Sequence, residues 1–189
     1  MARVRLRDYL AADWHRLHEF AGSESPRRRF RDNFSPRFAP VYLLRVAQRL
    51  YEKGAYRTAK TVSLLNFILF GLEVPARLSI GPGLVLPHTV GTILGAGKIG
   101  RNVTIYQQVT LGAKIADFDY DPAQRPEVGD DVLLTAGAKV IGPVQIGDGA
   151  IIGANAVVLQ DVPANSLAVG VPASIRLSGT DEEEAMLDG

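Results

Sequence analysis

A six-residue step runs through the C-terminal two thirds of the chain. A helix repeats every 3.6 residues and a strand every two, so neither alone produces this period. A period of six indicates a short strand followed by a corner, repeated as one flat side of a coil. The aliphatic positions are Val74, Ile80 and Leu86, then, after one extra residue, Ile93, Ile99, Ile105 and Leu111, and finally Val128, Leu134, Val140, Ile146, Ile152 and Val158.

A second position in each hexad supports the same interpretation. We expect the aliphatic and the residue four places after it to point into a narrow prism, with three hexads in each coil. Stacked coils then bury an aliphatic column that no single repeat could bury. The sequence therefore predicts a mainly β fold, a parallel β-helix of hexapeptide repeats. These second positions hold small or branched residues: Val103, Val109, Val132, Ala138, Val144, Ala150, Ala156 and Val162.

Three regions are expected along the chain. Residues 1–72 have helical patterning and form an α-helical N-terminal region, and residues 73–177 form the β-helix. Residues 178–189 carry five acidic side chains and form an acidic C-terminal tail. Leu111 and Val128 are seventeen residues apart, where six or twelve would keep the step. A loop at 113–126 must therefore leave the prism, and such insertions often carry binding functions.

Composition excludes several classes of function. The chain has no Cys, which excludes a disulfide, a thiolate nucleophile and a cysteine-based metal site, and is compatible with the cytoplasm. His88 is the one histidine of the repeat region and cannot form an all-histidine metal site, so no metal is expected. No nucleotide-binding loop or nucleic-acid recognition motif is present. The longest apolar run, 62–72, is too short to span a bilayer.

Charge is distributed unevenly, although the net charge is only +1. Residues 1–60 carry 14 Lys or Arg against 6 Asp or Glu. One interpretation is a solvated helical surface. The alternative is contact with an anionic partner or with a membrane surface.

Four segments carry a resemblance to a known family. They read LPHTVG at 86–91, IGRNVTIYQQVTLG at 99–112, GAKVIGP at 137–143 and VGVPA at 169–173. From about Tyr42 onward the chain resembles the serine acetyltransferases of the hexapeptide acyltransferase superfamily. The resemblance implies a left-handed β-helix. It also implies transfer of an acetyl group from acetyl-CoA to an alcohol.

The resemblance also implies roles for individual residues. His88 matches the family's general base, which takes the proton of the acceptor hydroxyl. Glu73 matches the family's Asp that holds the imidazole, and it is one methylene longer. Small residues would let the arm of acetyl-CoA approach the backbone, and two cations are candidates for its phosphates. These donor-site residues are Gly112, Ala113, Ala136 and Ala154 for the arm, and Lys139 and Arg176 for the phosphates.

Two departures from the family concern acceptor binding. Pro87 replaces the Asp that precedes the catalytic His, and Arg125 occupies the position of a second His. The loss of both groups weakens the case for L-serine and favours a sugar hydroxyl as the acceptor, as in the acetylation of surface polysaccharides. Arg125 can still bind a carboxylate, so L-serine remains an equal alternative. Two further hypotheses are a different acyl donor or an amine acceptor, and a non-catalytic hexapeptide scaffold.

The resemblance also bears on assembly. Family members form trimers with the clefts between prisms, so a homotrimer is expected, or a dimer of trimers joined through the N-terminal helices. The family's C-terminal Ile, which docks cysteine synthase, is replaced by Gly189. A complex with cysteine synthase is therefore not expected.

Overall fold

The computed structural model describes residues 5–25, 27–115 and 119–177. Within these residues, three α-helices and a short 3-10 helix precede the strands. The predicted tail at 178–189 lies outside the described residues. The helices are α1 (Leu6–Phe20), the 3-10 helix Phe30–Phe34, α2 (Ala39–Glu52) and α3 (Tyr56–Phe70).

Helices α2 and α3 end where glycine permits a left-handed backbone. Gly54 follows α2 with φ +81° and Gly71 follows α3 with φ +65°. The N–H of Gly71 donates to the carbonyl of Phe67, which closes the last turn of α3. The chain turns at Gly71 and enters the first strand directly, so α3 lies beside the first coil of the prism.

Fourteen short strands follow within the described residues. They build the sides of the prism, two to four residues at a time. The strands are β1 (Leu72–Glu73), β2 (Ser79–Ile80), β3 (Thr92–Leu94), β4 (Lys98–Ile99), β5 (Thr104–Ile105), β6 (Thr110–Gly112), β7 (Glu127–Val128), β8 (Leu133–Leu134), β9 (Lys139–Ile141), β10 (Gln145–Ile146), β11 (Ile151–Ile152), β12 (Val157–Val158), β13 (Ser166–Val169) and β14 (Ser174–Leu177).

Strands that lie one coil apart pair in parallel, which gives three flat faces. The first face has the order β1-β3-β6-β9-β12, the second β2-β4-β7-β10, and the third β5-β8-β11-β13. Strand β14 pairs antiparallel with β13 and closes the third face at the last coil. The predicted parallel β-helix, with three hexads to a coil, is therefore confirmed.

The core is the predicted aliphatic column. On the first face Leu94 lies in register with Leu111, and Leu111 with Val140, and all three are fully buried. The second position of each hexad is also buried, from Val103 to Val162. Both inward positions of the repeat thus point into the prism as expected.

One predicted core residue is wrong. Ile93 points outward and is 38% exposed, whereas Leu94 is buried completely. The cause lies in the corner before β3, where the N–H of Gly91 donates to the carbonyl of Gly71 at 3.0 Å. The corner therefore contains two extra residues, where the sequence predicted one. The inward-facing residues Leu86 and Leu94 are eight positions apart, and the next one, Ile99, follows Leu94 after five positions.

A buried ion pair joins the helices to the prism. Arg45 of α2 donates from Nε to Asp13 of α1 at 2.8 Å, and both side chains are almost fully buried. Asp13 also accepts hydrogen bonds from the backbone N–H groups of Gly83 and Leu84, and Arg45 donates to the carbonyl of Ile80 on the second face. No helix in the described part of the chain has the length and apolarity needed to cross a membrane.

Candidate active site

A cleft of about 570 Å³ runs over the first face of the prism. Its floor is the outer surface of β1, β3 and β6, one wall is α3, and the other wall is the loop between β6 and β7. The wall residues include Phe67 of α3 and Tyr120 of the loop. The lining also includes Lys60, Ser63, Leu64, Glu73, Ile93, Thr110, Gly112 and Arg125.

One row of outward-facing side chains crosses the strands of the first face; it forms the floor of the cleft and continues to the next strand, β9. Strand register aligns Glu73 with Ile93, Ile93 with Thr110, and Thr110 with Lys139. Glu73 is exposed and Thr110 and Lys139 are half-buried. This row therefore runs from a carboxylate in the first coil to an ammonium group in the fourth, with one apolar and one hydroxyl side chain between them.

Arg125 is fixed in the loop wall of the cleft. It is 9% exposed, and its Nη1 donates to the carbonyl of Gly95 at 2.9 Å. Its guanidinium lies 3.7 Å from the ring centre of Tyr120, whose hydroxyl donates to the carbonyl of Ala96 at 2.7 Å. Arg77 approaches the same ring at 4.5 Å. The predicted acceptor residue thus lines the cleft as a cation held in place by its contacts, and its contact with Tyr120 was not predicted from the sequence.

His88 lies on the corner between the third and first faces, which we call the His88 corner. Its side chain is exposed and Pro87 beside it is half-buried. The hydroxyl of Thr89 donates to the carbonyl of Phe70 at 2.8 Å. Together with the bond from Gly91 to Gly71, this ties the corner to the segment just ahead of Glu73, so His88 and Glu73 occupy the same end of the first face.

The structure does not join the two predicted catalytic side chains directly. Within residues 5–25, 27–115 and 119–177, neither Glu73 nor His88 makes a side-chain hydrogen bond or ion pair. Glu73 faces the cleft, whereas His88 projects from the corner beside it. Catalytic hydrogen bonds often form only when substrate is bound, so this geometry is compatible with a bond between Glu73 and His88 in the substrate complex.

Two predicted donor-site residues share the His88 corner. Backbone bonds connect its successive turns: Gln108 N–H to Val90, Gly137 N–H to Gln107, and Asn155 N–H to Ala136. Ala136 and Ala154 therefore stack along the same edge of the prism as His88, with Ala136 half-buried and Ala154 exposed. The structure brings the predicted base and these two small residues onto one edge.

The other donor-site candidates are more scattered. Gly112 ends β6 at the far side of the first face, where a Cβ atom would meet nothing within 4 Å, and Ala113 follows it, half-buried. Lys139 donates from Nζ to the carbonyls of Gln108 and Gly137 beside the His88 corner. Arg176 is exposed on β14, on the third face.

The described residues contain no group of three or more His, Cys, Asp or Glu side chains arranged to hold a metal ion.

The contribution of α3 to the cleft was not predicted from the sequence. Ser63 and Leu64 lie about one helical turn before Phe67, so the three side chains share one side of α3. The one available signal was the apolar character of α3 on more than one side.

Comparisons with known proteins agree with this architecture. The family model described as bacterial transferase hexapeptide (six repeats) matches residues 125–160. A serine acetyltransferase of Staphylococcus aureus (strain Mu50 / ATCC 700699) is 40% identical over 131 residues, which are 69% of this chain and 60% of the relative. One of Staphylococcus epidermidis (strain ATCC 12228 / FDA PCI 1200) is 39% identical over the same length.

Solved structures give the same result. A serine acetyltransferase in complex with CoA superposes with a TM-score of 0.77 and 27% identity, covering 90% of this chain and 69% of that one. The serine acetyltransferase of Neisseria gonorrhoeae in complex with serine superposes with a TM-score of 0.75 and 29% identity, covering 89% of this chain and 68% of that one.

The repeat, the three-faced prism and these matches define a hexapeptide-repeat protein whose prism is a left-handed parallel β-helix preceded by a helical region. Within the hexapeptide acyltransferase superfamily the chain is serine acetyltransferase-like. The predicted handedness and family resemblance are both confirmed. The chain spans 60% of the length of the curated relatives that it matches.

Proposed function

We propose that the chain is an acetyl-CoA-dependent O-acetyltransferase of serine acetyltransferase type, with L-serine as the acceptor. The observation that carries the proposal is the 40% identity to a serine acetyltransferase across 69% of the chain. Similar proteins have been solved with CoA and with serine bound, which favours serine over a sugar hydroxyl. Since acetyl-CoA is available in the cytoplasm, the proposal includes a cytoplasmic location.

His88 acts as the general base in this proposal. Its neutral imidazole removes the proton of the serine hydroxyl as that oxygen attacks the thioester carbonyl carbon of acetyl-CoA. The tetrahedral intermediate then collapses, the carbon–sulfur bond breaks, and the imidazolium returns the proton to the departing thiolate. The products are O-acetylserine and free CoA. Support comes from the exposure of His88 on an edge that substrates can reach.

Glu73 holds the imidazole in the productive state. Its carboxylate would accept the N–H of His88 on the ring nitrogen away from the substrate, fixing the tautomer and stabilising the imidazolium. The two residues belong to the same end of the first face, and Glu73 is exposed enough to change rotamer. The longer side chain of Glu, compared with the family's Asp, suits a partner that is not in contact before substrate binds.

Arg125 binds the carboxylate of the amino acid acceptor. It is a cation in the wall of the cleft and is already held by its bond to the carbonyl of Gly95, so little side-chain entropy is lost when it meets a carboxylate. Pro87 shapes the acceptor site next to His88 without adding charge.

Residues 1–72 serve as a helical platform and residues 73–177 as the catalytic prism, with loop 113–126 as a cleft wall.

The donor lies along the edges of two adjacent prisms. Gly112 and Ala113 on one prism and Ala136 and Ala154 on the next would line the arm of CoA, because small side chains allow close approach to the backbone. Lys139 and Arg176 would neutralise its phosphates. This arrangement requires a neighbouring copy of the chain, and the assembly that we propose is a homotrimer, or a dimer of trimers. Exposed apolar side chains of α3 next to the cleft support such an assembly.

Thiol release from acetyl-CoA tests the proposal. We expect release with L-serine and not with a panel of sugars. A His88→Ala variant should lose about two to four orders of magnitude in kcat, as expected for a general base. His15→Ala, which removes an exposed histidine from α1, is the matched control and should keep full activity. Full activity of His88→Ala would contradict the proposed mechanism. Thiol release with a sugar and not with serine would contradict the proposed acceptor.

A further inference from the structure

The segment between α1 and α2 has features that the proposed reaction does not use. Residues 27–37 contain five arginines against one aspartate, with two phenylalanines among them. The 3-10 helix Phe30–Phe34 forms the centre of this segment. We call it the Arg–Phe patch, and it comprises Arg27, Arg28, Arg29, Phe30, Arg31, Phe34 and Arg37.

Two adjacent aromatic rings project from the patch into solvent. Phe30 is 74% exposed and Phe34 is 63% exposed. Their ring centres lie 5.5 Å apart at an interplanar angle of 72°, so the two rings form one apolar knob. Burial of such rings in an apolar environment is favourable, and their joint exposure indicates a surface that another phase or molecule covers.

A basic cleft of about 790 Å³ adjoins the knob. Arg27, Arg28, Arg29 and Arg31 line it, together with Trp14, His18 and Asp32. Arg28 is anchored, since it donates to Oδ1 of Asn33 and approaches the ring of Phe38 at 6.0 Å. Asp32 accepts the backbone N–H of Arg29 at 2.6 Å, so the one carboxylate in residues 27–37 helps to fix the backbone of the patch.

We infer that the Arg–Phe patch docks the protein on the surface of an anionic phospholipid bilayer. Lipid phosphates would enter the basic cleft and pair with the guanidinium groups. Phe30 and Phe34 would insert at the boundary between headgroups and acyl chains, where an amphipathic surface gains from both interactions. The inference does not depend on the proposed acetyl transfer.

Two other occupants fit the patch less well. A second copy related by a twofold axis would place the same five arginines opposite each other, and like charges would repel across the interface. Single-stranded nucleic acid binds aromatic rings through their faces. Here the two rings are packed against each other edge to face, which leaves a compact knob and not a row of separate stacking platforms.

Co-sedimentation with vesicles tests the inference on the full chain. Vesicles of phosphatidylglycerol and phosphatidylcholine in equal parts should bind the protein at low salt, and vesicles of phosphatidylcholine alone should not. Arg29→Gln with Arg31→Gln should weaken binding about thirtyfold, from the usual contribution of a basic residue at an anionic surface. Phe30→Ala with Phe34→Ala should weaken it at least about tenfold.

Matched controls separate the patch from charge and hydrophobicity in general. Lys53→Gln with Arg57→Gln removes two exposed cations outside the patch. Ile115→Ala with Val171→Ala removes two apolar side chains that are 82% and 72% exposed elsewhere. Both controls should bind within about twofold of the wild type, and circular dichroism should show every variant folded.

Three results would each overturn the inference. One is a wild-type protein that ignores anionic vesicles at low salt. Another is a control pair that loses as much binding as the patch variants. The third is a patch that binds a single-stranded oligonucleotide but no vesicle, with the same arginine variants abolishing that binding.

Discussion

Asp13 shows how a buried charge is accommodated in this protein. Its Oδ1 accepts hydrogen bonds from Nη2 of Arg45 and from the N–H groups of Gly83 and Leu84, and its Oδ2 accepts from Nε of Arg45. Arg45 in turn donates to two carbonyls of the first coil. Desolvation of the pair is costly, so its stability depends on every one of these bonds being made.

Removal of one partner from this pair should therefore be severe. We expect Asp13→Ala to lower the free energy of unfolding by about 3–5 kcal/mol, because the Arg45 guanidinium stays buried without a counter-charge. Arg49→Ala breaks a partly exposed pair with Glu52 and should cost at most about 1 kcal/mol. Urea titrations of both variants measure the difference, and equal losses would contradict the interpretation of the buried pair.

Asp130 is a surface carboxylate with a perturbed titration. The backbone N–H of Arg101 first, and then its guanidinium, hold the pKa of Asp130 below its ordinary value of 3.8. A depressed pKa stabilises the folded state above about pH 4, and this contribution is lost as the pH falls through the folded-state value. Arg101→Gln should raise the pKa only part of the way, because the backbone bond remains.

A carbon-detected NMR titration of the Asp130 carboxyl measures this shift. The stability difference between wild type and Arg101→Gln should shrink as the pH falls below 3.8. Lys98→Gln, which removes a cation with the smallest influence on the Asp130 pKa, is the control and should change that pKa less. An unchanged pKa in Arg101→Gln would rule out the guanidinium as a cause.

At the scale of elements, the strands were predictable and the corners were not. The inward positions of a hexad must be apolar whatever surrounds the prism, so they can be recognised in the sequence. The corner before β3 depends on a contact between Gly91 and Gly71 across a full coil, which no local pattern records. Arg125 was anticipated from the family resemblance, whereas Tyr120 and the α3 wall reach the cleft through contacts between distant parts of the chain and were not anticipated.

Adjacent residues of β3 test the corrected register. Leu94 is fully buried in the column, so Leu94→Ala should leave a cavity and cost about 2–5 kcal/mol of unfolding free energy. Ile93→Ala removes a side chain from the outer surface and should cost well under that. Thermal or urea unfolding of the two variants gives the comparison, and a larger loss for Ile93→Ala would support the register predicted from the sequence, with Ile93 in the core.

For the whole molecule, the chief unexplained feature is the outer side of α3. Five of its last seven residues are apolar and between 45% and 65% exposed, and Leu64 and Phe67 among them also line the cleft. The apolar side of α3 is therefore continuous with the first face of the prism. A neighbouring copy that covered α3 would also close the cleft, which connects assembly with the proposed site.

Ile68→Glu tests this connection in one variant. Ile68 is 65% exposed, so the charge should leave the isolated chain folded while it disrupts an apolar interface. We expect light scattering to report a trimer, or a multiple of it, for the wild type and a smaller species for the variant. Thiol release should fall in parallel, because a donor groove between prisms would be lost. Leu159→Glu, at a site 49% exposed, is the control and should preserve both. A monomeric wild type with full activity would show that each chain forms its site alone.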